Sequence, residues 1–294
     1  MTSLEIEPLV GAFGARVHNL DLKRDLDAAV VRALREAWLE HLVLIFPAQQ
    51  LTPKEQIAAA ATVGRPCENP FVAGLPDHPE VIPIVKEPDD VLSFGTGWHS
   101  DQTYEAVPPL GSLLYLKTVP ARGGDTLWSS MYAAYEALSP AMQALLGGLV
   151  AEHDAGDSFG PKADFATRDA DRHSMTIKVS AAAEVAVRHP VVCRHPETGR
   201  PMLFVNPVFT SRLVGFSEAE SAALLDILYR HQQNPAFIFR HRWSAGDVAL
   251  WDNRCTQHSA LNDYHGQRRV AHRVTIAQER ADWERVWDGR PIAA

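Results

Sequence analysis

In this chain of 294 residues, the run Trp98-His99-Ser100-Asp101 sets an imidazole and a carboxylate two positions apart. On a strand, whose side chains alternate, that spacing puts His99 and Asp101 side by side on one face. Such a pair can bind one metal ion and needs only a third ligand from elsewhere. His78-Pro79-Glu80 and His195-Pro196-Glu197 share the His-x-acid spacing, but a central proline and a turn context speak against metal binding there. His258, just beyond the strand-like Val248 to Asn253, is the candidate third ligand. Further on, Arg269, Ala271 and Arg273 fall on one strand face, with the small alanine leaving room between two guanidinium forks. Each fork can take a carboxylate or sulfonate in bidentate fashion. Taken singly, these features have plain counterparts, a surface ion pair and a solvated basic strand edge. Together they describe a metal beside an anion-binding wall.

A rival chemistry is written in Gly156-Asp157-Ser158-Phe159-Gly160, a literal GxSxG. The order Ser158, Asp252, His258 matches the serine hydrolases of the α/β-hydrolase type. That pattern requires a strand before the serine and a helix after it. Here Pro161-Lys162-Ala163-Asp164 follows, polar and without helical period, which argues against the hydrolase. A third class, a fold that binds metal or sugar without turnover, would be expected to lack one of the chemical residues.

The elements that must position these groups are short and mostly β. Val81 to Val85, Trp98 to Tyr104, Ser112 to Val119, Thr126 to Ser129, Val185 to Arg194, Met202 to Val205, Ala236 to Trp243, Val248 to Asn253 and Arg268 to Ile276 read as strands. So do parts of Gly11 to Leu22, and Leu42 to Phe46. Helices are expected over Leu26 to Leu39, from the capping box Thr52-Pro53-Lys54-Glu55 to Gly64, over Met131 to Leu146 with a restart at Ser139-Pro140, and from the capping box at Ser217 and Glu220 to Asn234. Asp252 and Asn253 are expected to fix the backbone of the loop presenting His258, or to orient a ligand imidazole. Residues 160–180 are polar and irregular, a candidate lid. Clustered strands with inserted helices imply an α+β fold on a single domain, 1–294, rather than alternating βαβ units.

Composition narrows the partners. A formal net charge of −8 provides no basic footprint for nucleic acid. No apolar run approaches the ~20 residues of a membrane helix, and the first residues lack a signal peptide's pattern. Three cysteines without a CxxC pair suit a reducing cytoplasm and exclude a cysteine zinc site.

The sequence resembles the taurine dioxygenase (TauD/TfdA-like) group of Fe(II)/2-oxoglutarate-dependent dioxygenases. The resemblance runs through most of the chain. It is densest in Trp98 to Tyr104, Gly123 to Trp128, Ala134 to Leu138, Arg188 to Val192, Trp251 to His258 and Gln267 to Arg273. It implies a double-stranded β-helix (jelly-roll) core with flanking helices and an inserted lid loop. By the same resemblance His99, Asp101 and His258 hold Fe(II), and two imidazoles with one carboxylate leave three positions open. Two of these take 2-oxoglutarate, whose distal carboxylate is held by Arg269 and the Thr126 hydroxyl, and the last takes O2. The products are succinate, CO2 and a hydroxylated substrate, which in sulfonates, sulfate esters and ethers then falls apart.

Arg273 matches the family position that grips the substrate anion, and Ser158, Phe159 and Phe209 match pocket positions. Where the taurine-like pattern has His-Pro-x-Tyr, this chain reads Asn69-Pro70-Phe71-Val72, and an asparagine before Trp98 is replaced within Ser93 to Gly97. Asn69 and Val72 therefore imply a more apolar pocket with one arginine. The expected substrate is a small anionic organic molecule: organosulfonate or sulfate ester first, aryloxyalkanoate second, taurine third. A homo-oligomer, dimer or tetramer, in the cytoplasm completes the expectation.

Overall fold

The computed structural model describes residues 4–9, 13–163 and 175–284. Sixteen strands follow in chain order: β1 (Glu5–Pro8), β2 (Ala15–His18), β3 (Val43–Phe46), β4 (Pro66–Cys67), β5 (Val81–Lys86), β6 (Gly111–Thr118), β7 (Thr126–Ser130), β8 (Val150–His153), β9 (Val187–Pro190), β10 (Val192–Arg194), β11 (Pro201–Leu203), β12 (Thr210–Leu213), β13 (Ile238–His241), β14 (Val248–Asp252), β15 (Thr256–Ala260) and β16 (Arg269–Ile276). The large sheet runs β1-β2-β3-β14-β6-β16-β4, with β5 also paired to β16; facing it is the three-stranded β13-β7-β15. Two facing, mostly antiparallel sheets form the jelly-roll core of an α+β fold.

Alternation along the strands of the large sheet assigns its two faces. Val43, Ile45, Leu114, Leu116, Ala249, Trp251 and Ala271 join Trp128 and Phe239 of the small sheet in one buried cluster. Their neighbours Leu44, Phe46, Leu113, Tyr115, Val248, Leu250, Val274 and Ile276 join Leu34, Ala37 and Trp38 in a second. Val43 to Phe46 and Val248 to Trp251 read as unbroken apolar runs because helices cover the outer face while the small sheet covers the inner one. Trp38 and Trp128 are both fully buried, one on each side. Truncating either to alanine would cost about 3–5 kcal/mol.

The covering helices start where the capping boxes place them. Thr52 accepts from the Glu55 amide at the head of the helix Pro53–Ala61, and Ser217 from the Glu220 amide at Glu218–Gln232; both boxes are reciprocal. The helical interlude is broken as expected into Met131–Glu136 and Pro140–Leu146. Among the described residues, no helix is long and apolar enough to cross a membrane.

Two expectations need correcting. Trp98 to Tyr104 is not a strand: a single bridge pairs His99 with His258, after which the chain turns, Gln102 taking a positive φ of 52°. His258 stands within β15 rather than in a loop after β14. The expected lid falls largely on residues 164–174, outside the described residues. Its described flank returns to the fold, Ile177 bridging Val72 and the Ser180 amide donating to the Phe159 carbonyl.

Candidate active site

Backbone pairing brings the first two ligand candidates together. The His99 amide donates to the His258 carbonyl at 3.0 Å, and the His258 amide to the His99 carbonyl at 2.7 Å. The imidazole centroids lie 4.2 Å apart. Asp101 enters by a different route. Asn253 accepts from its amide at 2.6 Å and donates to its carbonyl at 2.9 Å. The turn after His99 thereby delivers the carboxylate that a strand would have delivered. Asp101 Oδ1 lies 3.6 Å from His99 Nε2 and 4.0 Å from His258 Nε2. One donor atom from each residue falls within 4.8 Å of the others, and all three residues are buried.

Protonation suits this arrangement. His99 Nδ1 lies 2.7 Å from the Gly97 carbonyl, which can only accept, so Nδ1 carries a proton and Nε2 is the nitrogen turned toward Asp101. Burial, reinforced by His99, pushes His258 down to about 3, so its ring is neutral at ordinary pH. For Asp101, burial raises the pKa, but Arg273 together with the two histidines prevails and holds it well below the usual carboxylate range. Ser112 Oγ donates to its Oδ2 at 2.8 Å, and Arg273 Nη1 to its Oδ1 at 2.7 Å.

An inner cavity lies between the sheets, lined by His99, His258, Thr126, Trp251, Arg269 and Arg273, with Ile84, Phe94, Gly95, Leu114 and Ala260. Arg269 is 4% exposed, and its Nη2 has no partner among the described residues. Burial lowers its pKa, the opposite of what a carboxylate partner would do. Thr126 Oγ1 accepts from Trp243 Nε1 at 3.0 Å, so its own proton is free to be donated. Outside lies a vestibule of about 300 Å³ that shares His99, Phe94 and Gly95 with the inner cavity; Leu92, Ser158, Phe159, Val208 and Phe209 are among its other walls.

The remaining expected residues divide. Phe159 and Phe209 line the vestibule and pack in one cluster with Val72, Phe71, Ile82 and Tyr104. Ser158 lines the vestibule too, but within the short helix Gly156–Phe159 rather than at a strand-to-helix elbow. Asp252 bonds His195 and Arg254, not His258, so the hydrolase order Ser158, Asp252, His258 is not a triad. This also corrects Asp252 as a candidate partner of a ligand imidazole, and Asn253 holds Asp101 rather than the loop before His258. Asn69 is not brought to the site cavity. Its Oδ1 accepts from the Phe71 and Val72 amides at 2.8 and 2.9 Å, which shapes the loop. Arg273 is not a free fork, since one arm is on Asp101, though its Nε stays buried without a partner. Ser112, Phe94 and Trp251 were not foreseen. Only Trp251 had a signal, its place in the run that ends at His258.

A family model described as "Taurine catabolism dioxygenase TauD, TfdA family" matches residues 5–275. The chain is 36% identical over 278 residues to an alkylsulfatase of Acinetobacter baylyi, covering 94% of this chain and 86% of that one. It is 35% identical over 283 residues to a (S)-phenoxypropionate/alpha-ketoglutarate-dioxygenase of Sphingobium herbicidovorans, covering 95% and 96%. The crystal structure of a taurine dioxygenase from Burkholderia xenovorans superposes with a TM-score of 0.78 at 35% identity, covering 94% and 92%.

Proposed function

The chain belongs to the TauD, TfdA family, and from that premise we propose that it hydroxylates a carbon close to the anionic group of a small organic substrate. It is a 2-oxoglutarate-dependent non-haem iron dioxygenase using Fe(II), 2-oxoglutarate and O2. Sulfate esters and organosulfonates rank ahead of aryloxyalkanoates, and taurine comes last.

The residues fit the metal and the cosubstrate. Two imidazoles and one carboxylate with converging donor atoms are the set associated with non-haem Fe(II), and His99, Asp101 and His258 would hold it. The orphaned Nη2 of Arg269 and the free proton of Thr126 call for an anion, and they would hold the distal carboxylate of 2-oxoglutarate. Bound iron, with 2-oxoglutarate and O2, supplies the oxidising power that exchanges C–H for C–OH while succinate and CO2 leave. The chain's own part is placement. Arg273 keeps Asp101 ionised through one arm and offers its unpartnered Nε to the substrate anion. Phe94, Phe159, Val208 and Phe209 exclude water from the reacting carbon, and Ser158 offers a hydroxyl at the wall. Val72 backs this surface from within the cluster, and Asn69 keeps the loop that carries it. A hydroxyl placed on the carbon bearing a sulfate leaves an unstable hemiacetal-type product, which expels sulfate.

The observation that carries the substrate ranking is the partition of charge. Among the described residues, the vestibule walls hold no lysine or arginine and one carboxylate, the exposed Asp157, while the inner cavity is lined by Arg269 and Arg273. An apolar body with a single anionic head fits that partition. Its nearest support among relatives is the alkylsulfatase, with the phenoxypropionate enzyme supporting the second rank. A panel of alkyl sulfates, sulfonates, aryloxyalkanoates and taurine, scored by succinate and by sulfate or sulfite release, tests it. Turnover confined to taurine overturns the ranking, and turnover of an uncharged substrate that survives Arg273→Ala overturns the anion argument. A cytoplasmic homo-oligomer, dimer or tetramer, acting without nucleic-acid or membrane partners, belongs to the same proposal. Size-exclusion chromatography with light scattering tests the oligomer.

A further inference from the structure

The reading above leaves one buried charge unused. In the antiparallel register of β5 and β16, Lys86 stands directly opposite Arg269, Ile84 opposite Ala271 and Ile82 opposite Arg273. Positions 82, 84 and 86 share one strand face. Ile84 lines the inner cavity and Ile82 packs in the apolar cluster beside it, so this face is turned toward the site. Directly opposed residues have their Cβ atoms about 4.5–5.5 Å apart. Lys86 is only 3% exposed, and its Nζ has no hydrogen-bond partner among the described residues. It rests over the ring of Tyr264, 4.7 Å from the centroid, and Tyr264 is itself buried with its hydroxyl 3.0 Å from Ser93 Oγ.

Two cations thus stand opposite each other on paired strands, Arg269 in the cavity wall and Lys86 on the strand beside it, and the described structure gives neither an acid. Asp101, the one carboxylate of the inner site among the described residues, is occupied by Arg273 and Ser112. Glu87, next in sequence to Lys86, points outward to Arg268. Burying like charges without a counter-charge is unfavourable, and the arrangement becomes favourable when an anion enters. Cation–π contact with Tyr264 offsets a part of the cost for Lys86 and fixes where the ammonium sits.

We propose that Lys86 and Arg269 form a paired cationic floor for the distal carboxylate of the cosubstrate, so that Lys86 sets the preference for a 2-oxo diacid over a 2-oxo monoacid. This rests on the dioxygenase reading, and the test separates the two. Isothermal calorimetry on Mn(II)-loaded protein measures the Kd of 2-oxoglutarate and of 2-oxobutyrate, which lacks the distal carboxylate. Lys86→Met keeps the length of the side chain and removes its charge. It should weaken 2-oxoglutarate binding roughly tenfold or more, the loss of one charge-assisted contact, while 2-oxobutyrate binding stays within about twofold. The ligand-free melting temperature should hold or rise, because an unpaired buried charge has gone. A purely structural lysine gives the reverse, a lower melting temperature and equal losses for both ligands, and that result overturns the inference. So does an unchanged 2-oxoglutarate Kd. If Lys86→Met does not fold, Lys86→Gln decides the comparison on the same terms. Wild-type protein that binds neither ligand overturns the cosubstrate reading and this inference with it.

Discussion

Among the described residues, two buried constellations have the composition of a metal site: His99, Asp101 and His258, and His195, Asp252 and Cys255. Each has a carboxylate tied to an arginine, Asp101 to Arg273 and Asp252 to Arg254. They differ in how their hydrogen bonds are distributed. His195 Nδ1 accepts from the Glu197 and Thr198 amides, so Nε2 must donate to Asp252, and both ring nitrogens are spent. Asp252 accepts from the Arg254 amide and twice from its guanidinium, which reaches on to Glu197. Burial raises the Cys255 thiol well above its ordinary value, which makes it a poor ligand. In the first constellation His99 Nε2 is turned toward Asp101, His258 Nδ1 has no partner among the described residues, and the group borders a cavity. Convergent donors are therefore not enough. A site needs donors that the fold has left unspent.

The largest test of that contrast exchanges one atom in each carboxylate. Asp101→Asn should abolish iron binding and reduce turnover at least about a thousandfold, since it removes the only anionic ligand. Asp252→Asn should leave the iron content of folded protein unchanged. It should cost roughly 3–5 kcal/mol of stability, because Arg254 would then be buried with half its counter-charge gone. Metal analysis and denaturant melts of both variants separate the outcomes. Loss of iron from Asp252→Asn would erase the distinction.

The anion end of the site comes next. Arg269→Ala should weaken 2-oxoglutarate binding by about 2–5 kcal/mol. An unaltered Kd removes Arg269 from the assignment.

A pH titration sharpens the contrast within the histidines. His258 is depressed to about 3 and His189 to about 4, while their unfolded-state values lie near 6.5. Between those limits the unfolded chain binds more protons than the folded one, so metal-free stability falls as pH drops from 6.5 toward 4. Each group contributes at most about 1.4 kcal/mol per pH unit. His258→Leu should flatten the slope by its share, measured in urea melts on metal-free protein, and an identical slope would show that His258 is not held neutral. The smallest effect belongs to Thr126→Val, which removes one neutral hydrogen bond to the cosubstrate, about 0.5–1.5 kcal/mol in its Kd.

What the sequence revealed depended on whether the determinant was local. The capping residues Thr52 and Ser217 act on amides three positions away, and the spacing of Arg269 and Arg273 is a property of one strand. These were legible. The turn after His99 was not, because nothing near Asp101 announces that Asn253, 152 residues later, will clasp its backbone. Asn69 suggested a substrate contact until its acceptor proved to be engaged by its own loop. Lys86 lay just outside the expected strand Val81 to Val85 and carried no signal of its own. Its meaning arises from register with Arg269, a relation that periodicity does not encode.

The mutual backbone bridge of His99 and His258 has a consequence for biosynthesis. The early segment supplies His99 and Asp101, yet Asn253, His258 and Arg273, which fix or complete their geometry, all come from late strands. During translation the first half of the constellation emerges long before the second, so the growing chain exposes an imidazole and a carboxylate with no defined distance between them. The constellation is complete only once β15 and β16 have paired, a non-local step of the kind that makes β topologies slow to fold.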